Sequence, residues 1–140
     1  MKKVFLVMIA CCFFAAQTFG QESGNSDNPN AAEVTFEKIE HDFGKVSINS
    51  VPEIEFTFTN TGKEPLIIHR CNAPCGCTTP ICPLGKPILP GETGTVKVTY
   101  STTSYAHKFD RSFTMTTNAK NSTLRLTVKG EVTDAETASK

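Results

Sequence analysis

Apolar and polar side chains alternate through much of the chain. In the clearest example, Ile54, Phe56 and Phe58 are separated by Glu55 and Thr57. A period of two residues is typical of a β-strand with one buried face and one wet face, and no segment has the period of roughly 3.6 residues that marks an amphipathic helix. The other segments that read as strands are Val34–Phe36, Phe43–Val46, Leu66–Ile68, Val96–Tyr100, Phe113–Met115 and Leu124–Val128.

Turn-forming sequences separate these segments. Asn-Thr-Gly at 60–62, Pro90-Gly91 and the stretch 118–121 each lie between two apolar runs. The pattern therefore predicts an all-β chain, an immunoglobulin-like two-sheet antiparallel sandwich of about seven strands. Periodicity alone does not separate a sandwich from a barrel, but the number and spacing of the strands favour the sandwich.

The N-terminus has the features of a secretory signal. Lys2 and Lys3 precede an apolar run over residues 4–16, and small residues at 18 and 20 permit cleavage before Gln21. An alternative is a lipid anchor on Cys11. Ordinary export is favoured, because the apolar run continues beyond Cys11. We expect a periplasmic or secreted protein.

The remaining chain is expected to form one domain. Residues 21–32 are polar and predict a flexible leader, 33–132 the sandwich, and 133–140 a flexible tail. The full chain has 14 Lys and Arg against 14 Asp and Glu, so loss of two lysines with the signal leaves 12 − 14 = −2. With no basic run we expect no nucleic-acid partner, and no later segment is apolar enough to span a bilayer.

Several short phrases occur in a recognisable order. They are Phe43–Val46, Phe58–Gly62, Pro65–Ile68, Cys75-Gly76-Cys77-Thr78, Pro87–Gly91 and Leu126–Val132. From about Phe36 to Val132 the chain resembles the exported bacterial family known as domain of unknown function 1573, which is common in Bacteroidetes. The resemblance implies an immunoglobulin-like fold outside the cytoplasm and no established activity.

The cysteines are the most unusual feature of the exported part. Cys71, Cys75, Cys77 and Cys82 crowd into one short segment, and the family's motif contains the inner pair alone. An even number in an exported chain predicts disulfides, but three pairings are possible. A bond between Cys71 and Cys82 would tie the base of a loop, worth about 2–3 kcal/mol. A turn at Gly76 would allow a bond between the inner two.

Two other uses of the cysteine segment remain open. Four thiolates could hold Zn²⁺ or Cu(I), with His69 as a possible extra ligand, although an oxidising compartment competes for the thiols. A thiol-redox role ranks third. Thiol–disulfide exchange proteins usually carry Cys-x-x-Cys at the start of a helix, which lowers a thiol pKa, whereas this Cys-x-Cys lies on a predicted loop. Disulfides without a cofactor are the leading interpretation.

No catalytic constellation is visible. His41 and His107 are isolated, Glu53 and Glu55 share a wet strand face, and no nucleophile motif of the Gly-x-Ser-x-Gly type occurs. We therefore expect a protein that is not an enzyme.

A binding or structural module of the cell envelope fits these observations best. We expect its contact surface to be the loop from Cys71 to Pro90, and its partner to be an envelope protein or a surface polymer. An exposed sheet edge that accepts a partner strand is the alternative. The binding candidates within the loop are Pro74, Gly76, Thr78, Pro80 and Pro83.

Overall fold

The computed structural model describes residues 28–101 and 103–134, and these residues contain eight strands and no helix. The predicted signal, Cys11 and most of the predicted leader and tail lie outside the described residues. In chain order the strands are β1 Val34–Phe36, β2 Glu40–Ser47, β3 Glu53–Asn60, β4 Ile68–Asn72, β5 Thr78–Ile81, β6 Thr93–Tyr100, β7 His107–Thr117 and β8 Thr123–Thr133.

The strands form two sheets of four. One has the order β1-β3-β6-β5 and the other the order β2-β8-β7-β4. This arrangement confirms the predicted two-sheet sandwich. Two details differ: β2 runs parallel to β8, whereas every other pair is antiparallel, and β5 is an additional strand inside the segment expected to be a loop.

The core lies between the sheets, where the alternating apolar residues meet. Phe56 and Phe58 from β3 and Phe113 and Met115 from β7 are at most 1% exposed. The rings of Phe56 and Phe113 meet edge to face across the two sheets, with centroids 6.0 Å apart. Each large side chain buried in this way contributes about 1.5–3 kcal/mol, so the alternating residues stabilise the packing of one sheet on the other.

Two residues at the end of the predicted leader are buried. Ala31 and Ala32 fell in the predicted leader, but they are 4% and 1% exposed. They pack against the turn at Gly62, where a Cβ would overlap the backbone of this segment. Among the described residues there is no helix long and apolar enough to cross a membrane.

The connections place β4 and β5 on one side of the sandwich and β1 and β2 on the other. β4 and β5 are the edge strands of opposite sheets and follow one another in the chain, as do β1 and β2. The cysteine segment, residues 71–82, contains the end of β4, the crossing to the other sheet, and β5 itself.

Candidate functional site: the cysteine segment and the loop that follows

A disulfide holds the crossing between the two sheets. Cys71 lies in β4, and it is bonded to Cys82, the residue after β5, with Cα atoms 6.4 Å apart. Both side chains pack against the main core. Because the bond joins the edge strands of opposite sheets, it closes one side of the sandwich covalently.

Part of the predicted loop is a strand because it completes a sheet. β5 pairs with β6, and the pairing is continued by Ser101 N–H, which donates to Cys77 O at 3.0 Å. Hydrogen bonding alternates along an antiparallel pair, so Pro80 falls at a position whose nitrogen faces the open edge. Proline is tolerated in a strand at such an edge position, where no donor is needed.

The inner cysteines form a second disulfide at the tip of the crossing. The Cα atoms of Cys75 and Cys77 are 5.3 Å apart, with exposed Gly76 between them. Cys77 packs against the small aromatic cluster formed by Tyr100 and Phe109, whose rings stack at 3.9 Å. The tip is thus anchored on one side and open to solvent on the other.

The metal hypothesis does not fit this arrangement. All four cysteines are bonded in pairs, and a disulfide has no thiolate to offer a metal ion. His69 is exposed on β4, at a point where the ladder is irregular between Ile68 and Arg70. Within the described ranges no cluster of three or more Cys, His, Asp or Glu side chains is placed to hold a metal.

The segment from Ile81 to Leu89 exposes apolar side chains. Ile81, Leu84 and Leu89 are 57%, 53% and 50% exposed, and they make up half of the six large hydrophobic residues found exposed in the described part of the chain. Pro83 and Pro87 lie between them and fix the backbone φ angle. Ile81 at the end of β5 and Leu84 and Leu89 in the loop after it are together called the apolar loop residues below.

The residues predicted for binding divide into two groups. Pro74 and Gly76 are exposed, and Pro80 and Pro83 are half-buried, so all four are accessible to a partner. Thr78 is only 3% exposed, so its side chain cannot contribute to an outer surface. Because Thr78 begins β5, the alternation of the strand turns it inward.

The edge of β1 is closed by a side chain. Asn121 Nδ2 donates to Val34 O at 2.8 Å, and Asn121 Oδ1 accepts from Val34 N–H at 3.1 Å. The amide therefore bonds to β1 as a neighbouring strand would. The backbone of Lys120 adds a bond to Ala32 O at 2.9 Å.

The edge of β4 is covered at its first residue by the loop that carries Leu84. Gly85 N–H donates to Ile68 O at 3.0 Å, and Leu66 and Ile88 exchange two backbone bonds of 2.9 Å. This pairing also explains why Leu66, predicted to lie in a strand, instead forms an isolated bridge. These backbone bonds hold the loop against the start of β4.

The edge of β2 is open but irregular. Its register with β8 shifts between Asp42 and Lys45. Gly44 stands there at φ 64°, a conformation that favours glycine, and its N–H donates to Asp42 Oδ1 at 2.8 Å. A bulge and charged side chains are common means of discouraging edge-to-edge pairing.

The sheet that contains β2, β7 and β8 has a shallow groove, which the sequence pattern did not predict. It is open to solvent and has a volume of about 500 Å³. Its charged lining residues are Asp42, Lys45, Lys108, Asp110, Lys129 and Glu131. Three acids and three bases give no net sign, so the groove does not form a patch for a polyanion.

The two histidines that the sequence shows as isolated, His41 and His107, both lie in strands. His107 begins β7, where Nδ1 donates to Tyr105 O and Nε2 accepts from the Tyr100 hydroxyl, both at 2.8 Å. Burial raises the pKa of Tyr100 above its usual range. His41 lies in β2, and burial lowers its pKa, with Lys38 adding to this effect. Both histidines have structural neighbours rather than a nucleophile.

The fold and the paired cysteines define a class: an immunoglobulin-like β-sandwich of a kind found outside the reducing cytoplasm. The chain belongs to the family described as Protein of unknown function (DUF1573), whose model matches residues 34–132. This match confirms the resemblance seen in the sequence. No curated protein matches the chain.

Solved structures share the fold at low sequence identity. The PapD-like domain 7 of human CEP192 is 11% identical with a TM-score of 0.63, and the match covers 77% of this chain and 90% of that domain. A protein of unknown function from Porphyromonas gingivalis W83 is 14% identical with a TM-score of 0.64, over 74% of this chain and 49% of the other. The Vibrio cholerae protease VesB is 14% identical with a TM-score of 0.56, over 74% and 32%. At these identities the likeness concerns the fold alone.

Proposed function

We propose that this chain is a non-catalytic binding or structural module of the cell envelope, with its contact surface on the segment from Cys71 to Pro90. The observation that carries the proposal is the position of the apolar loop residues. Ile81, Leu84 and Leu89 project into solvent from a segment that a disulfide ties to both sheets.

Energetics favour this segment as a contact surface. Each of the three side chains is about half exposed, and covering the remainder would contribute on the order of 1 kcal/mol per residue. The disulfide between Cys71 and Cys82 and the neighbouring prolines already restrict the backbone. A partner that binds there would order little chain, so less of the gain is lost to entropy.

The sheet edges are weaker candidates. β1 is closed by Asn121, β4 is covered at its start by the loop around Gly85, and β5 is short and contains Pro80. β2 is open, but its bulge and charges interrupt the row of bonds that an added strand would need. Side-chain contacts at the loop are therefore favoured over strand addition.

The chemistry of the partner follows from the surface. Aliphatic side chains and prolines suit an apolar or mixed surface on an envelope protein, or a surface polymer with apolar faces. A nucleic acid is a poor match because acidic and basic side chains balance at 14 each over the whole chain. The predicted signal over residues 1–20 supports a location in the envelope or outside the cell.

Absence of catalysis is also part of the proposal. His107 is held by hydrogen bonds with Tyr100 and Tyr105, and the hydrogen-bond partner of His41 is Lys38, so each of these histidines has a structural partner. A binding module needs no cofactor.

Polar substitutions on the loop test the proposal. The variant with Ile81→Ser, Leu84→Ser and Leu89→Ser should lose at least tenfold in apparent affinity for the purified envelope fraction, measured as bound protein against concentration. Ile39→Ser is the matched control, because Ile39 is 60% exposed but lies between β1 and β2 on the opposite side of the sandwich. Equal loss in both variants, or no loss in the triple variant, would contradict the proposal.

A further inference from the structure

The two disulfides have different structural roles. Cys71 and Cys82 are 11 residues apart and connect two strands, whereas Cys75 and Cys77 are separated by Gly76 alone. A cross-link over so short a span restricts very little of the unfolded chain. The inner disulfide therefore contributes little to holding the sandwich together, and its presence calls for another explanation.

The inner disulfide is accessible from one side. Pro74 and Gly76 are exposed, and a Cβ built on Gly76 would meet no atom within 4 Å. Cys75 and Cys77 are both half-buried, but Cys77 packs against the cluster of Tyr100 and Phe109 and Cys75 belongs to neither hydrophobic cluster, so Cys75 is the sulfur that an external thiol can approach. A small covalent ring at an accessible site is the kind of disulfide that thiols reduce most readily.

A buried hydroxyl lies beside the inner sulfur. Thr78 is 3% exposed, and its Oγ1 is 3.9 Å from Cys77 Sγ. The disulfide sulfur is a weak acceptor, but a thiolate at the same position would be a strong one. The hydroxyl is thus placed to stabilise the negative charge that appears on Cys77 when the bond breaks.

We propose that Cys75–Cys77 is a thiol–disulfide exchange site that accepts two electrons from a dithiol of another protein. This goes beyond the proposed contact function, since the loop can bind a partner whether or not exchange occurs. Packing of Cys77 against Tyr100 and Phe109 holds the inner pair in place, and the outer disulfide takes no part in the exchange.

The exchange proceeds in two substitutions. A thiolate of the dithiol attacks Cys75 Sγ, the Cys75–Cys77 bond breaks, and its electron pair leaves on Cys77 Sγ beside the Thr78 hydroxyl. The second thiolate of the donor then attacks the donor's first sulfur, which is bonded to Cys75 in the mixed disulfide. This forms the donor's disulfide and releases Cys75 as a thiolate. The donor ends as a disulfide, and the two protons of its thiols end on Cys75 and Cys77. The reverse sequence with an external disulfide, such as oxidised glutathione, restores the bond.

Differential alkylation of the purified, oxidised protein tests the proposal without any substitution. The protein is equilibrated with glutathione at a series of reduced-to-oxidised ratios, its free thiols are alkylated, and its peptides are measured by mass spectrometry. We expect half-reduction of Cys75–Cys77 at a ratio at least tenfold less reducing than that needed for Cys71–Cys82. Reduction of both pairs at the same ratio would overturn the proposal.

A transfer experiment tests the direction of exchange. Reduced, unfolded ribonuclease serves as the dithiol, and we expect the protein to form about one disulfide in it per molecule of protein. Cys71→Ser with Cys82→Ser should keep this transfer, and Cys75→Ser with Cys77→Ser should abolish it. Transfer that survives loss of the inner pair would contradict the assignment.

The role of Thr78 is tested by two matched variants. Thr78→Val removes the hydroxyl and should slow reduction of Cys75–Cys77 by about tenfold, the effect of losing one hydrogen bond to a charged group. Thr78→Ser keeps the hydroxyl and should react at nearly the original rate. Equal rates in the two variants would show that Thr78 does not stabilise the leaving sulfur.

Discussion

Cys71 and Cys82 are bonded across the two sheets, so one covalent link joins β4, an edge strand of one sheet, to the end of β5, an edge strand of the other. The same link fixes both ends of the tip that carries Cys75 and Cys77. It also fixes the start of the loop that exposes Leu84. The contact surface therefore depends on this pairing for its position, whereas the inner pair is also anchored by the packing of Cys77 on Tyr100 and Phe109.

Loss of the outer disulfide should weaken the protein without unfolding it. Cys71→Ser with Cys82→Ser removes a link over 11 residues, and the chain-entropy model predicts a loss of about 2–3 kcal/mol in the free energy of unfolding. The fully buried core residues are unchanged, because Cys71 and Cys82 only pack against their margin, so the far-ultraviolet circular dichroism spectrum at low denaturant should stay that of a β-sandwich. Urea titration gives the loss, and a double variant that is unfolded without urea would contradict this account of the core.

Asn121 should contribute to stability through its bonds to β1. Asn121→Ala removes both hydrogen bonds to Val34 and should cost about 1–2 kcal/mol. Amide hydrogen exchange should become faster at Val34. Exchange in the central strand β6 should speed up only as far as the overall loss of unfolding free energy requires. Thr123→Ala, at an exposed position of β8, is the control and should be nearly neutral.

A methyl group at Gly94 should not fit. Gly94 lies opposite Phe58 in the register of β3 and β6, and the ring of Phe58 occupies the space that a Cβ would need. Gly94→Ala should lower the free energy of unfolding by about 1–3 kcal/mol. Gly76→Ala is the control, because nothing lies within 4 Å of a Cβ there. Similar losses in the two variants would mean that the ring is not packed on Gly94.

Alkaline pH should destabilise the sandwich through Tyr100. Because burial raises its pKa in the folded state, the folded protein holds the hydroxyl proton more tightly than the unfolded chain does. This contribution is complete below about pH 10, the usual tyrosine value, and is lost as pH rises through the folded pKa. The variant Tyr100→Phe should therefore lose less unfolding free energy on going to alkaline pH than the original protein does. The variant Tyr105→Phe, changed at an exposed position, should lose as much as the original protein. Urea midpoints at a series of pH values measure the effect, and identical profiles for the two variants would refute it.

The period-two alternation was sufficient to predict the sandwich, because one face of each strand must enter the core. Val96, Val98 and Tyr100 illustrate this, since all three are at most 1% exposed, as their spacing requires. The pattern failed for β5, where Thr78–Ile81 is short, contains Pro80 and shows no apolar alternation. Its strand conformation comes from pairing with β6, which no local signal reports.

The candidate site was predicted in outline only. Clustered cysteines identified the segment, but the choice among three pairings depends on how β4 and β5 approach in space. The apolar loop residues were not singled out, because an isolated Leu84 in a sequence gives no sign of its exposure. The closure of the β1 edge by Asn121 likewise joins residues 87 positions apart.

The most direct test of the contact surface is site-specific photo-crosslinking in cells that produce the protein. A photoreactive amino acid replaces Leu84 in one variant and Ile39 in the other; both positions are exposed, on opposite sides of the sandwich. The account predicts a discrete crosslinked product from position 84, absent from position 39 and diminished by Ile81→Ser with Leu89→Ser. A product from position 39 and none from position 84 would place the contact surface on the other side of the sandwich and contradict the account.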